Sequence, residues 1–286
     1  MIRRIKKIAV VGSGTMGLGI AQVCAMAGYT VLLYDIQAAL LKTALSALRK
    51  NLDTLVAKEK IEAQQAAGAL GRIVAVSDFR QLQVDFVIEA VIESLEVKQK
   101  IFREIEKLNA TDCLLTTNTS SIPVTRIGAI LKHPNRFAGL HFFNPAPVMP
   151  LVEIVRGAST SEETLAALRG FAQRIGKQFV LVQDSPGFIV NRVARAFYLE
   201  SLKMAEEQVA DFRTIDTLLK SSGFRMGPFE LMDLIGIDVN LSVTESVYTA
   251  FGHEPRFRPS RIQQQKVDAG YLGRKSGRGF YEYGPQ

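Results

Sequence analysis

The sequence predicts an α/β protein: a mostly parallel sheet, a helical pair inserted into it, and an all-α domain after it. Three observations carry that expectation. Short β-branched runs alternate with helical stretches over the first two-thirds of the 286 residues, the pattern of strands joined by crossover helices. The interval from Gln37 to about Leu70 is too long for one crossover helix and carries Leu and Ala at helical spacing, so it reads as two helices between strands two and three. After DSPGFIVNR (184–192) strands give way to long amphipathic helices. The boundary is expected there, with one domain over residues 1–184 and a second over 185–286, in keeping with the ~250 to 300 residues at which single cores tend to split.

In chain order the strands are expected at KIAVVG (7–12), TVLLYD (30–35), RIVAVSD (72–78), DFVIEAV (85–91), CLLTTNT (113–119), FAGLHFF (137–143), LVEIVRG (151–157) and QFVLVQD (178–184). These runs are mostly apolar along their length, so helices should cover both faces of the sheet. The last domain opens with VNRVARAFYLESLKMAEEQV (190–209). Its apolar faces are extensive for its size. A homodimer contact through this domain accounts for them, and a larger interdomain contact accounts for them equally well.

Composition narrows the function classes. The chain is 47% hydrophobic and 22% charged, with a formal net charge of +7 that suits an anionic ligand such as a phosphorylated cofactor. It has no basic helix or interleaved aromatic platform for nucleic acid, and no apolar run approaching the ~18 residues of a membrane span. Cys24 and Cys113 form no CxxC or metal spacing and read as buried free thiols of a reducing compartment. The opening MIRRIKKIAVVG leads straight into a glycine-rich turn, unlike a signal peptide, so a cytoplasmic location is expected.

Chemistry enters at VVGSGTMGLGIAQVCAMAGYTVLLYD (10–35), where Gly12, Gly14 and Gly17 stand in GxGxxG spacing between a strand and a helix. The first glycine permits the tight turn, the second lets backbone approach a pyrophosphate, and the third lets helix pack on strand, leaving the helix N-terminus facing the anion. Ser13, Thr15 and Met16 belong to the same cofactor-binding turn. Asp35, ending the second strand, is placed to accept from the adenine ribose and to repel the 2′-phosphate of NADP. A Rossmann-type domain binding NAD is the expectation.

Ligands of open α/β sheets lie beyond the carboxyl ends of the strands, so the opposite wall of the cleft is sought in three loops. EAVIESLEVKQK (89–100) puts Glu93 and Lys98 at the opening of the next helix, where an acid also suits the helix dipole. TTNTSSIPVT (116–125) offers Asn118, Ser120 and Ser121; Ser121 is expected to cap the following helix, with Pro123 in its first turn, freeing Ser120 for the cleft. HFFNPAPVMP (141–150) brings His141, one of three histidines with His133 and His253. If the NPAPVMP loop reverses the chain, Glu153 returns beside His141, and a carboxylate on one imidazole nitrogen raises the basicity of the other. With no Cys, His and Asp cluster at metal spacing, no metal is expected.

Together these stretches resemble the L-3-hydroxyacyl-CoA dehydrogenase family over nearly the whole chain: VGSGTMGLGIA, EAVIESLEVK, TNTSS, HFFNPAPVMPLVEIV, DSPGFIVNR, GPFELMDLIGID and LGRKSGRGFYEY. The resemblance implies NAD-dependent, reversible oxidation of (S)-3-hydroxyacyl-CoA to 3-oxoacyl-CoA, with His141 as general base oriented by Glu153, and Ser120 and Asn191 hydrogen-bonding the substrate oxygens. It implies NAD contacts from Asp35, Glu93, Lys98, Asn118, Ser120, Asn144 and Lys275, and two domains that close over the acyl chain. CoA contacts are placed only in a region, TALSALRKNLDTLVAKEK (43–60), whose Ser46, Arg49, Lys50, Lys58 and Lys60 do not match the family's serine and lysine one for one. The tail is similar to that of bacterial members acting on 3-hydroxybutyryl-CoA or 3-hydroxyadipyl-CoA.

Other readings compete. A sugar-acid dehydrogenase of the L-gulonate type would keep the NAD site and His141 but have no use for a CoA groove. A β-hydroxyacid dehydrogenase would carry a catalytic lysine where this chain has Asn191 and Arg192. A non-catalytic NAD-binding structural protein would have no use for the set Ser120, His141, Glu153 and Asn191.

Overall fold

A computed structural model describes residues 5–284. Residues 1–4, part of the basic opening on which the expectation about a leader rests, lie outside the described residues. The chain divides into one unit ending at Ser185 and another beginning at Pro186.

The first unit runs β1 (Lys7–Val11), α1 (Thr15–Met26), β2 (Thr30–Tyr34), α2 (Ala38–Ala57), α3 (Ala63–Gly71), β3 (Ile73–Val76), β4 (Phe86–Glu89), α4 (Leu95–Leu108), β5 (Leu114–Thr117), α5 (Val124–Gly128), β6 (Phe137–Phe142), β7 (Leu151–Arg156), α6 (Glu162–Arg174) and β8 (Gln178–Gln183). The eight expected strands and the inserted helical pair are all present, the strands one to three residues shorter than their apolar runs. They form one sheet in the order β3-β2-β1-β4-β5-β6-β7-β8. Neighbours from β3 through β6 are parallel, β7 runs antiparallel to β6, and β8 is parallel to β7. Consecutive β-branched and aromatic residues suit this position because helices cover both faces, and β1, β4, β5 and β6 are buried nearly throughout.

Strand order reverses beside β1, whose neighbours are β2 and β4. That switch point opens a crevice at the carboxyl ends of the strands, and it fixes which end of the sheet carries chemistry. The inserted pair closes onto the sheet through Leu41, Ala44, Leu48 and Leu52 of α2, spaced three or four residues apart on one helical face. Both cysteines are free and buried, and burial pushes the Cys113 thiol up to about 12 and Cys24 higher still.

The second unit holds α7 (Val190–Glu206), α8 (Phe212–Ser221), α9 (Pro228–Ile235), α10 (Ile237–Ala250) and α11 (Arg261–Asp268). Tyr198, Leu202, Phe229, Met232, Ile237 and Phe280 form its core. Two buried acids fasten the chain's last described turn to that core. Asp233 accepts from the Phe280 and Tyr281 N–H groups at 2.9 and 3.0 Å and from the Tyr283 hydroxyl at 2.9 Å. Asp216 accepts from Phe229 and Glu230 N–H at the start of α9 and from the Tyr281 hydroxyl. No helix of the described residues is long and apolar enough to cross a membrane.

Candidate active site

The glycine turn follows β1 as its spacing predicts. Gly12 adopts φ 105°, and a Cβ there would meet the Ala90 carbonyl oxygen at 2.6 Å; at Gly17 it would meet the Gly12 oxygen at 1.8 Å. Only glycine fits either position. Gly14 differs: a Cβ there meets nothing within 4 Å, and Gly14 begins α1 with no side chain capping the helix. The exposed turn therefore presents uncapped N–H groups and the positive end of a helix dipole to open space, as an anion requires.

Ser13 and Asp35 join this turn to β2. The Ser13 N–H and hydroxyl donate to one Asp35 oxygen at 3.0 and 2.8 Å, and Gln37 N–H donates to the other at 3.0 Å. Burial alone would push this carboxyl up; the donors from Gln37 and Ser13 outweigh it and hold Asp35 below the ordinary carboxylate range. Each oxygen of a carboxylate has room for about two donors, so Asp35 keeps capacity for a ribose hydroxyl. Ser13 is buried and committed to Asp35, whereas Thr15 is exposed and Met16 half-buried at the start of α1.

On the far side of the crevice, α4 begins at Leu95 behind the cap Ser94, so Glu93 precedes the helix instead of opening it. Glu93 gathers the loop after β5. Its Oε1 accepts from the Ser120 and Ser121 N–H groups at 3.0 and 3.1 Å, from the Ser121 hydroxyl at 3.1 Å, and from the Thr119 hydroxyl. Burial opposes the charge, but the Lys98 ammonium, the Thr119 hydroxyl and the Ser120 N–H together lower its pKa. Lys98 is only 1% exposed, with its ammonium 2.6 Å from Glu89 and 3.2 Å from Glu93. The expected cofactor lysine is thus buried beneath the loop, held between two acids.

The cap expected from Ser121 is not found. Helix α5 starts at Val124 after Pro123, and its first N–H groups, Val124 and Thr125, donate at 2.9 and 2.7 Å to Asp184 at the far end of β8. Ser121 instead turns to Glu93, an anion close enough to take both its N–H and its hydroxyl. Ser120 is half-buried, and its hydroxyl bonds to no other described residue in the hydrogen-bond network of this loop. Asn118 Oδ1 accepts from Phe142 N–H at 2.8 Å, tying this loop to the end of β6.

His141 lies one residue before the end of β6, and Glu153 sits directly across from it on antiparallel β7. Directly opposed residues bring their Cβ atoms to ~5 Å, and here His141 Nδ1 meets Glu153 Oε2 at 2.8 Å. Glu153 is 0% exposed, so it is no ordinary surface acid. Phe143 packs edge-on against the imidazole, with ring centroids 4.6 Å apart. The loop that makes this meeting possible is pinned by Lys177, whose ammonium donates to the Ala146 and Met149 carbonyls at 2.7 and 2.6 Å. Burial lowers the pKa of that lysine. Asn144 is exposed on the same loop, before a cis bond to Pro145.

Glu89, Lys177 and Asp184 were not among the sequence candidates. Glu89 closes the apolar run DFVIE and opens EAVIESLEVK, and Asp184 opens DSPGFIVNR, but neither stretch indicates the contacts these acids make. Lys177 acts on a loop distant in sequence, and nothing local marks it. Two further candidates lie in the second unit: Asn191 in the first turn of α7, where its carbonyl accepts from Arg195 at 3.2 Å, and Lys275, whose ammonium is 2.6 Å from Asp238.

Both units match a known family. Residues 7–185 match the NAD binding domain, and residues 187–283 the C-terminal domain, of 3-hydroxyacyl-CoA dehydrogenase. The chain is similar to 3-hydroxyadipyl-CoA dehydrogenase of Escherichia coli, 49% identical over 99% of this chain and 60% of that protein, so it spans less than two-thirds of that relative's length. It is 40% identical to 3-hydroxybutyryl-CoA dehydrogenase of Bradyrhizobium diazoefficiens, over 98% of this chain and 96% of that protein. The crystal structure of (S)-3-hydroxybutyryl-CoA dehydrogenase from Ralstonia eutropha matches with a TM-score of 0.94 at 40% identity, covering 99% of this chain and 100% of that one.

Proposed function

The chain belongs to the 3-hydroxyacyl-CoA dehydrogenase family, and from that premise we propose that it oxidises short (S)-3-hydroxyacyl-CoA thioesters to 3-oxoacyl-CoA with NAD, reversibly. The substrates in view are 3-hydroxybutyryl-CoA and 3-hydroxyadipyl-CoA. The observation that carries this reading is the 2.8 Å contact between His141 and Glu153 at the carboxyl end of β6, the same end of the parallel strands that bears the glycine turn after β1.

The residues present fit the cofactor. Uncapped N–H groups of α1 and the open space at Gly14 suit a pyrophosphate. Asp35 retains acceptor capacity for the adenine ribose and, held charged, would repel a 2′-phosphate. Ile36 and Ile92, 81% and 70% exposed on the loops after β2 and β4, offer apolar faces for adenine. NAD, when bound, accepts the hydride from the substrate carbon.

Glu153 orients the imidazole through Nδ1 and stabilises its charged form, so Nε2 takes the proton from the 3-hydroxyl as the hydride departs. In reverse the imidazolium returns that proton to the 3-oxo group. Ser120 is suited to hold the reacting oxygen with its hydroxyl, on a loop that Glu93 fixes through two N–H groups. A groove of about 800 Å³ along α2, lined by Lys42, Ser46, Arg49 and Lys50, suits the anionic nucleotide end of CoA. Val209, Leu218 and Phe224, each at least half exposed on the second unit, are the surface on which we place a homodimer contact, and sedimentation would measure it. Two buried free thiols fit a reducing compartment, and we place the protein in the cytoplasm.

A panel of (S)-3-hydroxyacyl-CoA thioesters, varied in length and including a terminal carboxylate, tests the reading through NADH absorbance. Turnover of C4 or C6 thioesters is expected. Turnover of L-gulonate with none of the thioesters would overturn it.

A further inference from the structure

We propose that Glu89 and Glu93, sharing the single cation Lys98, form a fixed negative charge that raises the site's affinity for NAD⁺ relative to NADH. The proposal rests on the NAD reading and concerns Glu89 above all, a residue with no place in the mechanism.

Glu89 closes β4 and is fully buried, with both carboxylate oxygens accepting: Oε1 from Lys98 at 2.6 Å and Val91 N–H at 2.8 Å, Oε2 from the Thr117 hydroxyl at 2.7 Å. Lys98 also reaches Glu93 at 3.2 Å. Among the described residues neither acid has another cation, so two carboxylates share one ammonium and the formal charge of the cluster is minus one. A buried ion pair contributes little to stability compared with apolar residues of the same shape. Its presence calls for another reason.

Position supplies one. The Ala90 carbonyl, next along the chain from Glu89, is the atom that a Cβ on Gly12 would strike, so the cluster borders the dinucleotide turn. Strand register carries it the other way, Glu89 pairing with Thr117 and Thr117 with Gly139, two residues before His141. The charge therefore lies between the pyrophosphate turn and the histidine, where the hydride acceptor must sit. NAD⁺ and NADH differ in charge only at the nicotinamide ring, which is cationic when oxidised and neutral when reduced. Repulsion of the pyrophosphate is common to both forms and cancels in their ratio. What survives is attraction for the cationic ring, worth on the order of tenfold for unit charges ~10 Å apart at a protein-like dielectric.

Dissociation constants for NAD⁺, NADH and ADP-ribose, measured by calorimetry on the whole chain, test this. In Glu89→Gln the ratio of NAD⁺ to NADH affinity is expected to move roughly tenfold toward NADH, while ADP-ribose, which has no nicotinamide, still binds. Joint replacement Glu89→Met with Lys98→Met removes the pair as a unit and leaves the charge of Glu93, so its ratio stays within about twofold of wild type. Adding Glu93→Gln to that background removes the last charge and must bring the same tenfold shift, even if Glu89→Gln alone fails to fold. An unmoved ratio in the neutralised variants, or an equal shift in the Met/Met variant, overturns the proposal. Failure of the wild type to bind NAD⁺ and ADP-ribose would instead sink the NAD reading itself.

Discussion

Both units set acids against backbone N–H groups, but the balance falls on opposite sides. In the first unit Asp35 and Glu93 are partly buried on the loops after β2 and β4; donors from Gln37 and Ser13 outweigh burial at the first, the Lys98 ammonium with the Thr119 and Ser120 donors at the second, so both are held below their ordinary values. In the second, burial outweighs the donors on Asp216 and raises it, while the hydroxyls bound to Asp216 and Asp233 are raised in turn, Tyr283 to about 12 and Tyr281 beyond. The same hydrogen-bond device thus has two uses. At the crevice it keeps carboxylates charged beside an open turn, where they can meet a ligand; in the helical unit it closes the chain's tail over a core. Changes in the first unit should therefore be read in turnover and binding, and changes in the second in stability.

The largest effect that would sharpen this contrast comes from His141→Gln. Turnover should fall by roughly 10²- to 10⁴-fold, the usual range for loss of a general base, with NADH binding by fluorescence and the thermal midpoint close to wild type. Full retained activity would remove His141 from the mechanism. Glu153→Gln should come next, at roughly 10- to 100-fold in turnover. The amide keeps the shape but cannot stabilise the imidazolium, so the pH–rate profile should also shift, which a packing defect alone would not cause.

Much of this geometry is legible in the sequence, and the reason is local. The glycine spacing and the strand runs each act within a few residues, and a reversal at NPAPVMP, which the sequence leaves as a condition, is what sets His141 across from Glu153 on adjacent strands. Ser121 shows where local signals stop. Serine two residues before a proline is a sound helix-cap signal, but Glu93 from another loop competes for that serine, and Asp184 from β8 supplies the cap. Lys98 is a cofactor contact by resemblance, yet it is buried between Glu89 and Glu93, nine and five residues before it, and Glu89 is itself held by the Thr117 hydroxyl on β5. Contacts across the sheet between loops distant in sequence leave no periodic trace.

Asp233→Asn should reverse the pattern seen at His141. One face of the amide would point N–H groups at Phe280 N–H or at Tyr281 N–H and the Tyr283 hydroxyl, and leaving such buried donors unpaired costs about 1–3 kcal/mol. The second unit should unfold at lower urea, with little change in turnover per folded molecule; an unchanged midpoint would contradict the closing role. Asp184→Ala should cost slightly less, about 1–2 kcal/mol for a lost cap. Because α5 follows the Ser120 loop, its effect should cross the divide, with KM for the thioester rising beside the loss of stability.

The smallest effect is the acid response, and it tests the comparison most directly because the two units should differ in sign. Asp35 and Glu93 have folded-state pKa values below those of the unfolded chain, so the stability they contribute is present above the unfolded carboxylate range of about 4 and is lost as pH falls through the lower folded values. Asp216 has a raised folded value, so its contribution is present below the ordinary aspartate pKa and is lost as pH rises through the folded one. Urea unfolding from pH 3 to 7, compared between wild type and single Asp35→Asn or Asp216→Asn variants, separates the two. The Asp35 variant should flatten the rise of stability with pH, and the Asp216 variant should steepen it. Equal slopes in both would mean that donors and burial balance alike in the two units, and the division between ligand-facing and tail-closing acids would fail.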